Sequence, residues 1–152
     1  MKHVLSAALL TVAGVAGSLS FPSVAGATAY LQCAVTPAGS ATNGYNAVDG
    51  GWTCGTNQPA SSYGISFVVT GLPPGTYTYQ WSNTVYDGHF PSVSSCNSSG
   101  CSQNYNALNS GDHDEQVAVL VTDQSTLSQQ TLYAYPSTPA VCYNGGFGYY
   151  FC

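Results

Sequence analysis

The sequence carries almost no positive charge. Among its 152 residues Lys2 is the one Lys or Arg, whereas six residues are Asp or Glu. Nucleic-acid binding relies on cationic side chains that neutralise phosphates, so the composition argues against this class of function. Attraction to anionic lipid is disfavoured for the same reason. Because side-chain salt bridges are nearly ruled out as well, we expect stability to come from apolar burial, backbone pairing and covalent cross-links.

Helical periodicity is also missing after Ala27, because no window of about 11 residues keeps apolar residues at i, i+3, i+4 and i+7 without an interrupting Gly, Pro or Asn. Apolar and polar residues alternate instead, which predicts strands at 28–35, 51–54, 63–70, 76–82, 116–122 and 128–135. The strand 116–122 is apolar on both faces and is therefore predicted to be central in a sheet. The region 83–111 is predicted to be a loop. Twelve Tyr, five Phe and two Trp supply apolar surface for one core. This pattern predicts an all-β fold of two packed antiparallel sheets.

The N-terminal segment has the layout of a secretory signal. Lys2 precedes an apolar run that is rich in Ala, Gly and Ser. Small residues at Ala25 and Ala27 suit a signal peptidase, so we predict cleavage after Ala27, with Ala25 as the alternative. A retained membrane anchor is the other interpretation, but the run offers only about 18 residues. We expect a cleaved signal peptide at 1–27 and one secreted domain at 28–152, outside the cell or at its surface, with no membrane association after cleavage.

Six cysteines follow the predicted cleavage site, and this even number predicts a disulfide framework. They are Cys33, Cys54, Cys96, Cys101, Cys142 and Cys152. Cys96 and Cys101 enclose a short loop that can turn tightly enough for a local bridge, and a Cys33–Cys54 bridge is a reasonable second pair. Metal binding by these cysteines is disfavoured, because no pair has the C-x2-C spacing.

The remaining cysteines leave two alternatives open. Asn144-Gly145 is a strong signal for a two-residue hairpin turn, yet such a turn places Cys142 opposite Phe147. Either the tail is a wider loop centred near Phe147 and closed by a Cys142–Cys152 bridge, or Cys152 bonds to Cys33 or Cys54.

Two segments resemble a family of extracellular domains. One is Phe67-Val-Val-Thr-Gly-Leu-Pro-Pro-Gly-Thr-Tyr-Thr-Tyr-Gln-Trp81, and the other is Val119-Leu-Val-Thr-Asp123, which a return strand follows. They are similar to segments of bacterial immunoglobulin-like and PKD-type domains, and the resemblance covers 63–135. It implies an immunoglobulin-like antiparallel β-sandwich with Trp81 in the core. The sequence departs from the antibody pattern, because no cysteine lies on the strand of Ile65 or on that of Val119. Close kinship to antibody domains is therefore not expected.

Ionisable residues offer only weak candidates for chemistry. The densest group is Asp112, His113, Asp114 and Glu115, and His89 lies two residues after Asp87. Oxygens of Asp112, Asp114 and Glu115 on a flexible loop suit a calcium ion, although their spacing matches no EF-hand. A small secreted hydrolase using His89 or His113 is another alternative, but residues 28–152 lack a G-x-S-x-G turn. A solvated loop is the simplest interpretation, so we expect no enzyme and no required cofactor.

Aromatic residues near the C-terminus form the stronger candidate site. They are Tyr143, Phe147, Tyr149, Tyr150 and Phe151, interspersed with glycines. Exposed rings of this kind can stack on sugars or provide rigid contact area for a protein. Alternatively, the tail is a last strand that covers an open sheet edge with its aromatic rings in the core, and such a strand could also pair with a neighbouring copy.

These observations favour a non-enzymatic binding or adhesion module whose partner is a carbohydrate or a protein. A structural subunit of an extracellular filament or matrix, assembled from copies of the chain by strand addition, is the first alternative. The hydrolase is the second.

Overall fold

A computed structural model describes residues 28–37, 44–46, 51–85, 90–107 and 113–152. The predicted signal segment lies outside these residues. All regular secondary structure in the described part is β-strand, which confirms the all-β prediction. The strands are β1 (Tyr30–Thr36), β2 (Gly44–Asn46), β3 (Gly51–Gly55), β4 (Ser62–Thr70), β5 (Tyr77–Val85), β6 (Gly100–Asn106), β7 (His113–Asp114), β8 (Gln116–Asp123), β9 (Gln129–Thr138), β10 (Val141–Asn144) and β11 (Gly148–Phe151).

The strands form two larger sheets and one separate hairpin. One sheet has the order β1-β4-β6, and the other has the order β2-β3-β9-β8-β5 with the short β7 paired to β9. Strands β10 and β11 pair only with each other among the described strands. Strand β8 lies between β9 and β5, as its two apolar faces predict.

One strand pair departs from the predicted antiparallel arrangement, because β3 runs parallel to β9. A parallel pair needs a long connection, and the chain between these two strands includes five other strands. Gly51 allows the two backbones to approach closely at this pair. A Cβ atom on Gly51 would lie 2.6 Å from the carbonyl oxygen of Tyr133. The prediction of a purely antiparallel fold is therefore wrong at this position.

Inward-facing side chains of both larger sheets form one buried cluster. The three-stranded sheet contributes Leu31, Cys33, Val35, Tyr63, Ile65, Phe67, Val69, Cys101 and Tyr105. The other sheet contributes Cys54, Trp81, Val117, Val119, Val121 and Ala134. The rings of Phe67 and Trp81 meet between the sheets with centroids 6.1 Å apart. Burial of each large apolar side chain stabilises by about 1.5–3 kcal/mol, so this cluster is the main source of stability.

Two disulfides reinforce the core. The Cys33–Cys54 bond joins β1 of one sheet to β3 of the other. The Cys96–Cys101 bond closes a short loop before β6. The indole N–H of Trp81 donates a hydrogen bond to the carbonyl of Ser98 in this loop, at 2.9 Å. The loop is therefore attached to the core by a side chain as well as by its own cross-link.

The predicted strands agree with the structure to within three residues at every boundary. The prediction of a loop over 83–111 is wrong for Gly100–Asn106, which is β6. This strand alternates polar Ser102, Asn104 and Asn106 on its exposed face with inward-facing residues. Only Cys101 and Tyr105 of that inward set are buried and apolar. Backbone pairing with β4 holds β6 in place despite this polar composition.

Candidate functional site: the C-terminal aromatic hairpin

The C-terminal hairpin consists of β10, β11 and the turn between them. The strands pair antiparallel with Val141 opposite Phe151, Cys142 opposite Tyr150 and Tyr143 opposite Tyr149. Directly opposed residues of an antiparallel pair project from the same face. One face of the hairpin therefore carries Val141, Tyr143, Tyr149 and Phe151, and the other carries Cys142 and Tyr150.

The turn differs from the two-residue turn that Asn144-Gly145 alone would predict. The N–H of Phe147 donates to the carbonyl of Asn144 at 3.0 Å, and the N–H of Gly146 donates to the Asn144 side-chain oxygen at 3.0 Å. Gly148 follows with a φ of 77°, in the left-handed region that favours glycine. Because Asn144 lies opposite Gly148, the loop comprises residues 145–147, and the left-handed residue comes directly after it. The loop is centred on Gly146, one residue before the position predicted for the wider loop.

A disulfide closes the open end of this hairpin. Cys142 bonds to Cys152, and the N–H of Cys152 donates to the carbonyl of Ala140 at 3.3 Å. The alternative in which Cys152 bonds to Cys33 or Cys54 is therefore wrong, because those two cysteines bond to each other. The cross-link fixes the register of the hairpin without help from either larger sheet.

All five predicted aromatic side chains are exposed. The exposed fraction is 88% for Phe147 at the turn and between 42% and 55% for Tyr143, Tyr149, Tyr150 and Phe151. Val141, at the base of the hairpin, is fully buried in the core cluster. The alternative in which the tail covers a sheet edge with its rings in the core is wrong, because the rings are exposed and the hairpin pairs with neither larger sheet in the described part of the chain. One apolar residue anchors the hairpin while its rings face solvent.

Two of these rings stiffen the hairpin face. The centroids of Tyr143 and Tyr149 lie 5.2 Å apart, and the ring planes are inclined by 50°. Such tilted pairs contribute about 0.5–1.5 kcal/mol beyond burial of their area. Because the planes are inclined, the two rings form a ridge and not a flat platform.

The hairpin is electrically neutral in its side chains. No residue after Asp123 has a charged side chain, and no residue after Lys2 is Lys or Arg. The surface of the hairpin therefore consists of aromatic rings, hydroxyls and backbone amides. The hairpin side chains offer no cation that could neutralise an anionic group.

Two of the three carboxylates predicted to hold calcium lie in the described part of the chain, and they differ in exposure. Asp114 is exposed on β7, whereas Glu115 is buried. Asp112, Asp87 and His89 lie outside the described residues, as does the side chain of His113. Within the described part, no group of three or more His, Cys, Asp or Glu residues is arranged to hold a metal ion.

A second aromatic pair was not predicted. The rings of Tyr30 and Trp52 stack with centroids 5.7 Å apart and planes 8° from parallel. Trp52 also lines a cavity of about 260 Å³ together with Gln32, Ser66 and Val68. The sequence did indicate that Tyr30 lies on the face of its strand opposite to Leu31, Cys33 and Val35. Partial burial of both rings makes this pair a weaker candidate than the hairpin.

Comparison of the chain with protein-family models, with curated proteins and with solved structures gives no match in any of the three. No helix long and apolar enough to cross a membrane occurs among the residues that the structure describes.

Proposed function

We propose that this protein is a secreted, non-enzymatic binding module that contacts its partner through the C-terminal aromatic hairpin. The observation that carries the proposal is the exposure of five aromatic side chains on a hairpin whose strands, among those described, pair only with each other. Burying a side chain of this size would stabilise the fold by about 1.5–3 kcal/mol. Leaving several exposed together is typical of an interaction surface.

In this proposal the body of the molecule is an immunoglobulin-like β-sandwich that presents the hairpin. The resemblance over 63–135 and the core shared by two sheets support this assignment. Three disulfides support an extracellular location, because oxidising compartments are where such bonds persist. The predicted signal segment 1–27 supports the same location.

The partner proposed first is a neutral polysaccharide. Aromatic faces stack on the C–H faces of sugar rings, and tyrosine hydroxyls add hydrogen bonds. The chain after Lys2 has no Lys or Arg, so an acidic polysaccharide would meet only repulsion from the six acidic side chains. The inclined rings of Tyr143 and Tyr149 suit a single flexible chain better than a flat crystalline surface. A protein partner is the alternative for the same surface.

Affinity electrophoresis tests this proposal. The protein is run in native gels that contain a soluble neutral β-glucan, mannan or galactan, and retardation measures binding. The triple variant Tyr143→Ala, Tyr149→Ala and Phe151→Ala should lose the retardation. A control that truncates exposed apolar side chains elsewhere, Val68→Ala with Leu127→Ala, should retain it.

Two results would contradict the proposal. Retardation that survives in the triple variant would place the binding surface elsewhere. A triple variant that unfolds at much lower urea concentration than the control would show that the rings serve stability. If no polysaccharide retards the folded protein, the carbohydrate assignment fails and the protein alternative takes its place.

A further inference from the structure

Strand β5 is an edge of the six-stranded sheet, and its outward backbone groups have no partner among the described residues. Among the described strands it pairs only with β8. The N–H of Gln124 donates to the carbonyl of Thr76 at 3.0 Å, which shows that even-numbered positions of β5 bond to β8. Alternate residues of an antiparallel ladder direct their N–H and C=O groups outward. The backbone N–H and C=O groups of Tyr77, Tyr79 and Trp81 therefore point away from β8. No described residue forms a hydrogen bond with these groups.

This edge has few of the features that usually prevent edge pairing. The loop before β6 bonds to the side chains of Asn83 and Trp81 and not to the backbone of Tyr77, Tyr79 or Trp81. Edge strands are commonly protected by charged side chains, proline, short length or a bulge. Strand β5 is nine residues long and contains no charged residue and no proline. A register irregularity occurs only between Asn83 and Val85, at its C-terminal end. The segment 77–82 is left as a regular, uncharged edge.

The sequence of this edge is self-complementary. Aromatic and polar residues alternate symmetrically about Tyr79 in the order Tyr77-Thr78-Tyr79-Gln80-Trp81. If two copies pair antiparallel about Tyr79, Tyr77 of one copy lies opposite Trp81 of the other. Thr78 then lies opposite Gln80. Thr78 and Gln80 are exposed, so they can form neutral polar pairs across the contact. The Trp81 ring is already buried in the core of its own copy, so its pairing with Tyr77 adds little new burial.

We propose that two copies of this chain associate through β5, antiparallel, about a two-fold axis at Tyr79. A second copy is the proposed occupant because the same edge supplies unpaired backbone donors, unpaired backbone acceptors and the uncharged side chains of Thr78 and Gln80 that would face each other. The absence of charge removes repulsion between identical strands. The pairing joins the β5-containing sheets of the two copies into one continuous sheet. Because the contact is isologous, it occupies the β5 edge of each copy. Association therefore stops at a dimer and does not continue into a filament. This proposal does not depend on the function of the hairpin.

Amide hydrogen exchange at several protein concentrations tests the proposal, together with sedimentation equilibrium. The amides of Tyr77, Tyr79 and Trp81 should exchange slowly only at concentrations where the dimer forms. The amides of Thr78 and Gln80 bond to β8 and should be protected at every concentration, which provides an internal control. A chain that stays monomeric at all concentrations, or a dimer whose outward amides remain unprotected, would overturn the proposal.

A charged variant gives the second arm of the test. Thr78→Glu with Gln80→Glu places like charges opposite each other twice across the proposed contact and should raise the dimer Kd about tenfold or more. Gln129→Glu with Thr131→Glu adds the same charge to exposed side-chain positions on β9. Because β9 is an interior strand of the sheet and lies away from the β5 edge, this variant should leave the Kd unchanged. Equal effects of the two variants, with both folded by circular dichroism, would contradict pairing through β5.

Discussion

The indole of Trp81 makes two contributions that a phenylalanine ring cannot replace. Its N–H donates to Ser98 at 2.9 Å, and its ring fills the space against Phe67 in the core. Trp81→Ala would cost about 3–5 kcal/mol, which is a large part of the total stability of a typical domain. Trp81→Phe is therefore the more informative change, because the variant is expected to fold.

The expected loss follows from these two contacts. Loss of the hydrogen bond costs about 1 kcal/mol, since water can reach the exposed Ser98 and replace part of the bond. Removal of part of a buried ring costs roughly another 1–2 kcal/mol. Trp81→Phe should therefore lower the free energy of unfolding by about 2–3 kcal/mol.

Trp52→Phe is the matched control, because Trp52 is the other tryptophan of the chain. Its ring is only half-buried, and its indole N–H has no hydrogen-bond partner among the described residues. The expected loss is about 1 kcal/mol. Urea unfolding followed by far-ultraviolet circular dichroism, with the disulfides intact, measures both variants without depending on tryptophan fluorescence.

A second readout tests whether Trp81 holds the disulfide loop. The N–H of Val69 donates to Ser99 of this loop at 2.8 Å, so the Val69 amide should exchange faster in Trp81→Phe than in Trp52→Phe. Equal losses of stability in the two variants, with unchanged exchange at Val69, would refute the role assigned to Trp81.

Three further predictions concern other parts of the body. Tyr63→Phe should lower the free energy of unfolding by about 1–2 kcal/mol, because the buried hydroxyl donates to the carbonyl of Gln58 at 2.9 Å; a urea midpoint equal to wild type would contradict this. Leu127→Asn should raise the melting temperature, because Leu127 is 73% exposed and has a φ of 58° that asparagine tolerates better; a lower melting temperature would count against relief of strain. Hydrogen bonds from the side chain and backbone of Ser125 lower the pKa of Asp123, so its carboxylate stabilises the fold above its unfolded-state pKa and the effect is lost as pH falls through the lower folded-state value. Asp123→Asn should accordingly lose less stability on acidification than wild type in urea titrations, and parallel losses would contradict the assignment.

The strands of the core could be predicted because their side-chain pattern has the same period as the backbone. Leu31, Cys33 and Val35 alternate with polar or small residues, and this alternation is legible without knowing the neighbouring strand. Strand β6 could not be predicted in this way. Its residues are mostly Ser, Gln and Asn, so its conformation depends on pairing with β4, which lies about 40 residues earlier in the chain.

The candidate site, too, could be predicted only in those features that local sequence determines. The aromatic residues and the cysteines of the tail were evident, but the position of the turn depends on the left-handed conformation of Gly148. Exposure of the rings depends on whether a sheet edge accepts the tail, which is a property of the whole fold. The contact between Trp81 and the carbonyl of Ser98 is likewise a tertiary feature, because local sequence contains no information on which carbonyl an indole will reach.

The Cys142–Cys152 bond closes residues 142–152 into a covalent ring, and Val141, directly before this ring, is buried in the core of the body. Substitutions within that ring touch few groups that the body needs in order to fold. Natural variation could therefore alter the tip at Phe147, or lengthen it, while the rest of the molecule keeps its melting temperature. The ring is also a natural unit for transplantation together with Val141, since its two ends are already joined and a host scaffold would supply a pocket for the valine.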